Sequence, residues 1–234
     1  MRLHILITTI FFAIGAANAQ DGIVKTKLMP VGIAGSIKGL YFRNDGKTAE
    51  LKASMTGLGE GFEYKGPQVL ALYSSKEALA PPKEGQSPPT PLATVKLPNA
   101  DRILLLMAPP PEGRREPSIR AYPVSTDDLR PGDYRFFNCS DKTIAVTLGD
   151  ERIGIRPGKI VTVKSAKWQR EVLDLAVKLG TPGDDGNIRM VYSSVWGHQP
   201  AQRNFIILSI GATKAQPIEL RRFHDIIVED TDAE

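Results

Sequence analysis

Reactive and metal-binding side chains are scarce in this sequence. Its 234 residues include one cysteine, Cys139, and three histidines, His4, His198 and His224. A single cysteine excludes a disulfide framework and a Cys-rich zinc module. Two distant histidines and one thiol outside the N-terminal region cannot supply the three or four closely spaced ligands of a usual zinc site. No G-x-S-x-G or other nucleophile-elbow pattern occurs, which disfavours a Ser-His-Asp hydrolase. Two glycosidase carboxylates brought together by folding would leave no local trace, and nothing specifically proposes them. Asp184-Asp185-Gly186-Asn187 is the most calcium-like segment, but it lacks spaced ligands and reads as a hairpin turn. The chain is therefore expected to be no enzyme, with no catalytic residue, cofactor or metal site.

Long apolar runs are also missing. The only extended one, Ile5–Ile14, is about half the ~20 residues a membrane-spanning helix needs. It follows Met1-Arg2-Leu3-His4 and precedes Ala17-Asn18-Ala19, the arrangement of a secretory signal peptide cut after Ala19. The expectation is an exported chain beginning at Gln20, in the periplasm or at the cell surface, with no integral membrane segment. Charge of one sign is weak as well: 30 basic and 26 acidic side chains give a net charge of +4, or +3 without Arg2. The excess forms no basic patch, so nucleic acid is not an expected partner. Residues 227–234, ending Glu229-Asp230-Thr231-Asp232-Ala233-Glu234, read as an acidic, solvated, disordered tail.

What the sequence has in quantity is turn formers, with 21 glycines and 18 prolines. They punctuate short runs rich in Val, Ile, Leu, Tyr and Phe every 8 to 12 residues, the signature of an all-β chain. Fifteen such runs are expected as strands, from Ile37–Asn44 to Ile218–Phe223, with at most one short helix or turn near Thr126–Leu129. Leu173 to Leu179 alternates apolar and polar residues, although Trp168, Val172, Leu175, Ala176 and Leu179 also fit helical spacing. Hairpins are signalled by Gly149-Asp150, Pro157-Gly158 and Pro182-Gly183-Asp184-Asp185-Gly186. Residues 80–91 and the prolines from Pro109 to Pro117 should form exposed polyproline-like loops. Many half-apolar strands can bury their faces only by packing two sheets or closing a barrel. The expected fold over residues 20–226 is an immunoglobulin-like Greek-key β-sandwich. The pattern leaves open a division into two halves near 110–125, and no clear internal repeat is visible.

Recognition potential concentrates in Tyr192–Arg203, where Tyr192, Trp196, His198 and Arg203 lie on or beside one loop. Aromatics with adjacent donors anchor protein interfaces or stack on sugars. A Trp at the end of a sandwich strand is also ordinary core. Cys139 reads as a buried, slowly reacting thiol in a core strand. Asn138-Cys139-Ser140 fits the N-glycosylation pattern, and His224-Asp225 reads as a surface pair.

The string Gly132-Asp133-Tyr134-Arg135-Phe136-Phe137-Asn138-Cys139-Ser140, followed by Leu148-Gly149-Asp150 and Pro157-Gly158, resembles a little-characterised family of exported bacterial immunoglobulin-like β-sandwich proteins. Gly39-Leu40-Tyr41-Phe42-Arg43 and Tyr64-Lys65-Gly66-Pro67 look similar too. The family is in turn similar to pilus-associated adhesion and assembly domains. The resemblance implies a non-catalytic protein that binds a protein partner, or itself, at the envelope or surface. The alternative is a carbohydrate-binding module for extracellular glycans, built on Tyr192, Trp196, His198 and Arg203.

Overall fold

A computed structural model describes residues 22–58, 61–82, 84–110, 112–125, 127–166, 168, 173–183 and 185–226. The expected signal peptide and acidic tail lie outside the described residues. The described chain is all-β. Its first half holds β1 (Ile23–Gly32), β2 (Ile37–Asn44), β3 (Lys47–Ala53), β4 (Phe62–Pro67), β5 (Val69–Leu72), β6 (Ala93–Lys96), β7 (Arg102–Ala108) and β8 (Ser118–Pro123). Its second half holds β9 (Tyr134–Asn138), β10 (Ile144–Leu148), β11 (Glu151–Ile155), β12 (Ile160–Val163), β13 (Leu173–Pro182), β14 (Ile188–His198), β15 (Gln202–Ile210) and β16 (Ile218–Ile226). A single 3₁₀ turn covers Glu77–Leu79, whereas Asp127–Leu129, where a short helix or turn was expected, is a turn.

The two halves share one connectivity. In the first, one sheet has the order β4-β1-β7-β8, with β1 parallel to β7 and its other pairs antiparallel. The hairpins β2–β3 and β5–β6 are joined by a bridge in which Tyr41 and Tyr73 exchange hydrogen bonds of 2.8 Å, giving the order β3-β2-β5-β6. The second half repeats both orders eight strands later, as β12-β9-β15-β16 with β9 parallel to β15, and β11-β10-β13-β14. This internal repeat of topology was not visible in the sequence. The immunoglobulin order, ABED over CFG, seats the second strand between the first and the fifth. Here β2 lies between β3 and β5, and β1 belongs to the other sheet.

Three apolar clusters show how the sheets stack. Leu28, Leu105 and Met107 of one sheet meet Phe42, Leu51 and Leu72 of the other inside the first half. Tyr134, Phe136, Ile206 and Leu208 meet Val146, Val177 and Trp196 inside the second. The third cluster joins the halves, with Met29, Val31, Leu104 and Leu106 against Phe137, Phe205, Ile207 and Phe223. The sheets containing β1, β7, β9 and β15 are thus buried on both faces. That is why Ile103–Met107 and Phe205–Leu208 are continuous apolar runs, while the outer strand β13 alternates buried and exposed from Leu175 to Leu179.

Candidate functional site

Strand β14 carries most of the expected recognition residues, and register decides which way they face. Leu179 pairs with Tyr192 but Gly180 with Met190, leaving Val191 as the extra residue of a β-bulge. From Tyr192 onward, residues 192, 194, 196 and 198 turn toward the core. Trp196 is 6% exposed and His198 0% exposed, so the indole has no free face on which a sugar could stack. Its ring stacks on Tyr134 at a centroid distance of 6.3 Å, and Nε1–H donates to the Tyr192 hydroxyl at 3.0 Å.

The His198 hydrogen bonds define its tautomer. Nε2 lies 3.1 Å from the Trp168 carbonyl, which can only accept, so Nε2 carries the proton and Nδ1 accepts from the Tyr134 hydroxyl at 3.0 Å. Burial pushes the Tyr134 pKa up to about 12, so the phenol keeps its proton. Burial also pushes the imidazole pKa below its ordinary range, with the Arg222 charge acting in the same direction and the Trp168 hydrogen bond opposing. Both ring nitrogens are committed to the fold, which leaves this histidine no proton to exchange with a substrate.

Arg203 does not belong to that group. It lies on β15, and neighbouring Phe205 and Ile207 pack on the face toward the first half. At 0% exposure its guanidinium donates to the Val124 carbonyl at 2.7 Å and pairs with Asp225. Arg102 of the first half also pairs with Asp225, at 3.1 Å. His224-Asp225 is therefore only half a surface pair, because alternation along β16 turns Asp225 into the seam between the halves.

The cation over the Trp196 cluster is Arg222, which sequence reasoning did not single out. Its guanidinium stands 4.8 Å from the Trp196 ring centroid and 5.6 Å from that of Tyr134, and it donates to Asn204 Oδ1 and the Gly197 carbonyl. Arg221-Arg222 was the available signal, since adjacent arginines in a strand serve opposite faces. Arg221 donates to the Gly32 and Ile33 carbonyls of the first half.

Other candidates resolve into structure. Cys139 follows the end of β9, not lying within it as expected, and is half-buried beside a cavity of about 200 Å³ that Leu106 and Arg120 also line. Burial pushes its thiol pKa up. Asn138 is 1% exposed; its Nδ2 donates to the Lys142 and Ile155 carbonyls, and its Oδ1 accepts from Ser140 N–H and Oγ–H. Its amide nitrogen is thus inaccessible to glycosylation in the folded chain. Asp185 accepts from Asn187 N–H and Nδ2, which explains its conformation by a turn; Asp184 lies outside the described residues. No group of three or more His, Cys, Asp or Glu able to hold a metal occurs among the described residues. No described helix is long and apolar enough to cross a membrane.

The feature left unsatisfied is the free edge of β14. Ile188, Met190 and Val195, at 59%, 56% and 63% exposure, are three of the five exposed large apolar residues described. β14 spans eleven residues at the end of its sheet, with neither proline nor lysine and with Arg189 as its one charged residue. Other edges are charged, proline-bearing or short: β4 carries Lys65 and Pro67, β3 two lysines, β8 Arg120 and Pro123, and β16 Glu219, Arg221, Arg222 and Asp225, while β6 and β12 have four residues each and β11 five. No family model matches the chain, and none of the curated proteins matches it.

Proposed function

We propose that the chain is a non-catalytic, exported protein that binds an extended segment of a partner protein along β14, at the cell envelope or surface, in a pilus-like or adhesive assembly. The observation that carries this reading is the long, largely apolar edge of β14, whose one charged residue is Arg189. An unpaired strand edge accepts a partner strand by main-chain hydrogen bonds, and alternate apolar side chains add specificity. The immunoglobulin-like refinement of the fold belongs to the same proposal, and rests on the likeness of Gly132–Ser140, not on strand order. The carbohydrate reading at Tyr192, Trp196, His198 and Arg203 loses its physical basis with the burial of Trp196 and the turning away of Arg203.

A photo-crosslinking residue in place of Ser193, an exposed position on β14, tests the proposal in the producing cell. The expected result is a discrete protein adduct, whether a second copy or another chain, that disappears when Val195→Lys guards the edge. Absence of any adduct, or one indifferent to Val195→Lys, overturns the reading.

A further inference from the structure

On the first half, far along the chain from β14, a cleft of about 530 Å³ opens between the end of β5, the 3₁₀ turn and the two proline-rich stretches. That volume falls within the range of about 300–1,000 Å³ usual for small-ligand sites. Pro91 and Leu92 give it an apolar wall, and Tyr73, Ser74 and Thr90 supply hydroxyls. Arg114, Arg115 and Glu116 come from the β7–β8 connection, and all three are exposed. Neither guanidinium makes a hydrogen bond or ion pair among the described residues.

We infer that this cleft binds an acidic saccharide, with a carboxylate held by the Arg114–Arg115 pair and ring hydroxyls held by Tyr73, Ser74, Thr90 and Glu116. Guanidinium forks match a carboxylate bidentately, and a half-buried tyrosine offers both a ring and a donor to a sugar. The two arginines and Glu116 leave a local excess of one positive charge, which suits one carboxylate per sugar better than a densely charged polyanion. Glu116 has only acceptors, and a polyhydroxylated ligand gives it donors to accept from. An acidic peptide fits less well, because a peptide needs free backbone groups to pair with. Here the Tyr73 main chain is already spent on Tyr41, and the Leu92 N–H on the Leu72 carbonyl. The inference is independent of the β14 proposal, since it uses no residue of that strand.

The test is calorimetric titration of the full chain with trigalacturonate, a neutral galactose trisaccharide and a tetraglutamate peptide. Trigalacturonate should bind saturably and at least tenfold tighter than either comparison ligand. The double variant Arg114→Ala/Arg115→Ala should lose that binding tenfold or more with an unchanged melting temperature, because both side chains are exposed and bond no other described residue. Glu116→Gln should weaken the complex, since one of the two carboxylate acceptors for sugar hydroxyls is replaced by an N–H donor; a bare anion rim would bind tighter once a like charge is removed. No saturable binding, equal affinity for the neutral sugar or the peptide, indifference to the arginine variant, or tighter binding by Glu116→Gln would each overturn the inference.

Discussion

At the scale of single residues, several positions do work that a residue type alone would not suggest. Gly132 has φ of 87°, and a Cβ there would stand 2.5 Å from Ser165 Oγ, next to the Asp133 side chain that binds the Ser165 N–H and hydroxyl. Gly132→Ala combines a left-handed backbone with a clash, so roughly 1–3 kcal/mol is expected from the two together, read by denaturant unfolding. Gly46, at φ 75° with nothing within 4 Å of an added Cβ, isolates the backbone effect; Gly46→Ala should lose only about 1 kcal/mol. Burial lowers the pKa of His224 as well as that of His198. Between those lowered values and about 6.5, the unfolded chain binds protons that the folded chain does not, so stability should fall as pH drops through this window. Urea midpoints measured from pH 7 downward should show that fall, and His198→Gln should flatten it. Arg222→Ala removes a buried-side cation from the Trp196 face and its charged hydrogen bonds, at about 2 kcal/mol, with red-shifted tryptophan emission.

At the scale of elements, all fifteen expected strands exist, with ends displaced by a few residues, and the one missed is β1. Its sequence, IVKTKLMPVG, contains Pro30, which argues against a central strand. The register explains the exception. Lys27 and Ile33 direct their N–H groups to the β7 side, while Gly32 donates to the Ser54 carbonyl on the other. Pro30 therefore turns its missing donor to that second side, beyond Leu28, the last residue paired with β4. The repeat stayed hidden for a related reason. The equivalent hairpins β2–β3 and β10–β11 turn through Asp45-Gly46 and Gly149-Asp150, reversed dipeptides that solve the same two-residue turn with different positive-φ positions. The candidate site was legible only in part, because alternation along a strand can be counted but the bulge at Val191 and the choice of buried face cannot. Trp196 and His198 lie two residues apart on the buried face of β14, whereas Arg203 lies across a sheet from them. Cys139 is half-buried with a raised pKa, so thiol reagents should label the native protein slowly at neutral pH, and unfolding should accelerate that labelling.

At the scale of the whole molecule, the seam between the halves combines an apolar sheet-on-sheet contact with a charged knot. Phe137, Phe205, Ile207 and Phe223 oppose Met29, Val31, Leu104 and Leu106, and beside them Asp225 receives Arg203 from its own half and Arg102 from the other. Among the described residues Asp225 is the only carboxylate these two arginines share, and the Nε atoms of both lack any hydrogen-bond partner. A buried ion pair adds little over a well-packed apolar contact, but removing one partner strands the other's charge at about 3–5 kcal/mol. Asp225→Ala should therefore act mainly on the seam, because each half keeps its own core. The intact chain is expected to unfold in one cooperative transition, and Asp225→Ala in two, the calorimetric enthalpy exceeding the van't Hoff value. Retention of a single transition at lower temperature would instead show that the sheets flanking the seam cannot stand folded without each other. In that case the two sandwiches form one folding unit despite their repeated connectivity.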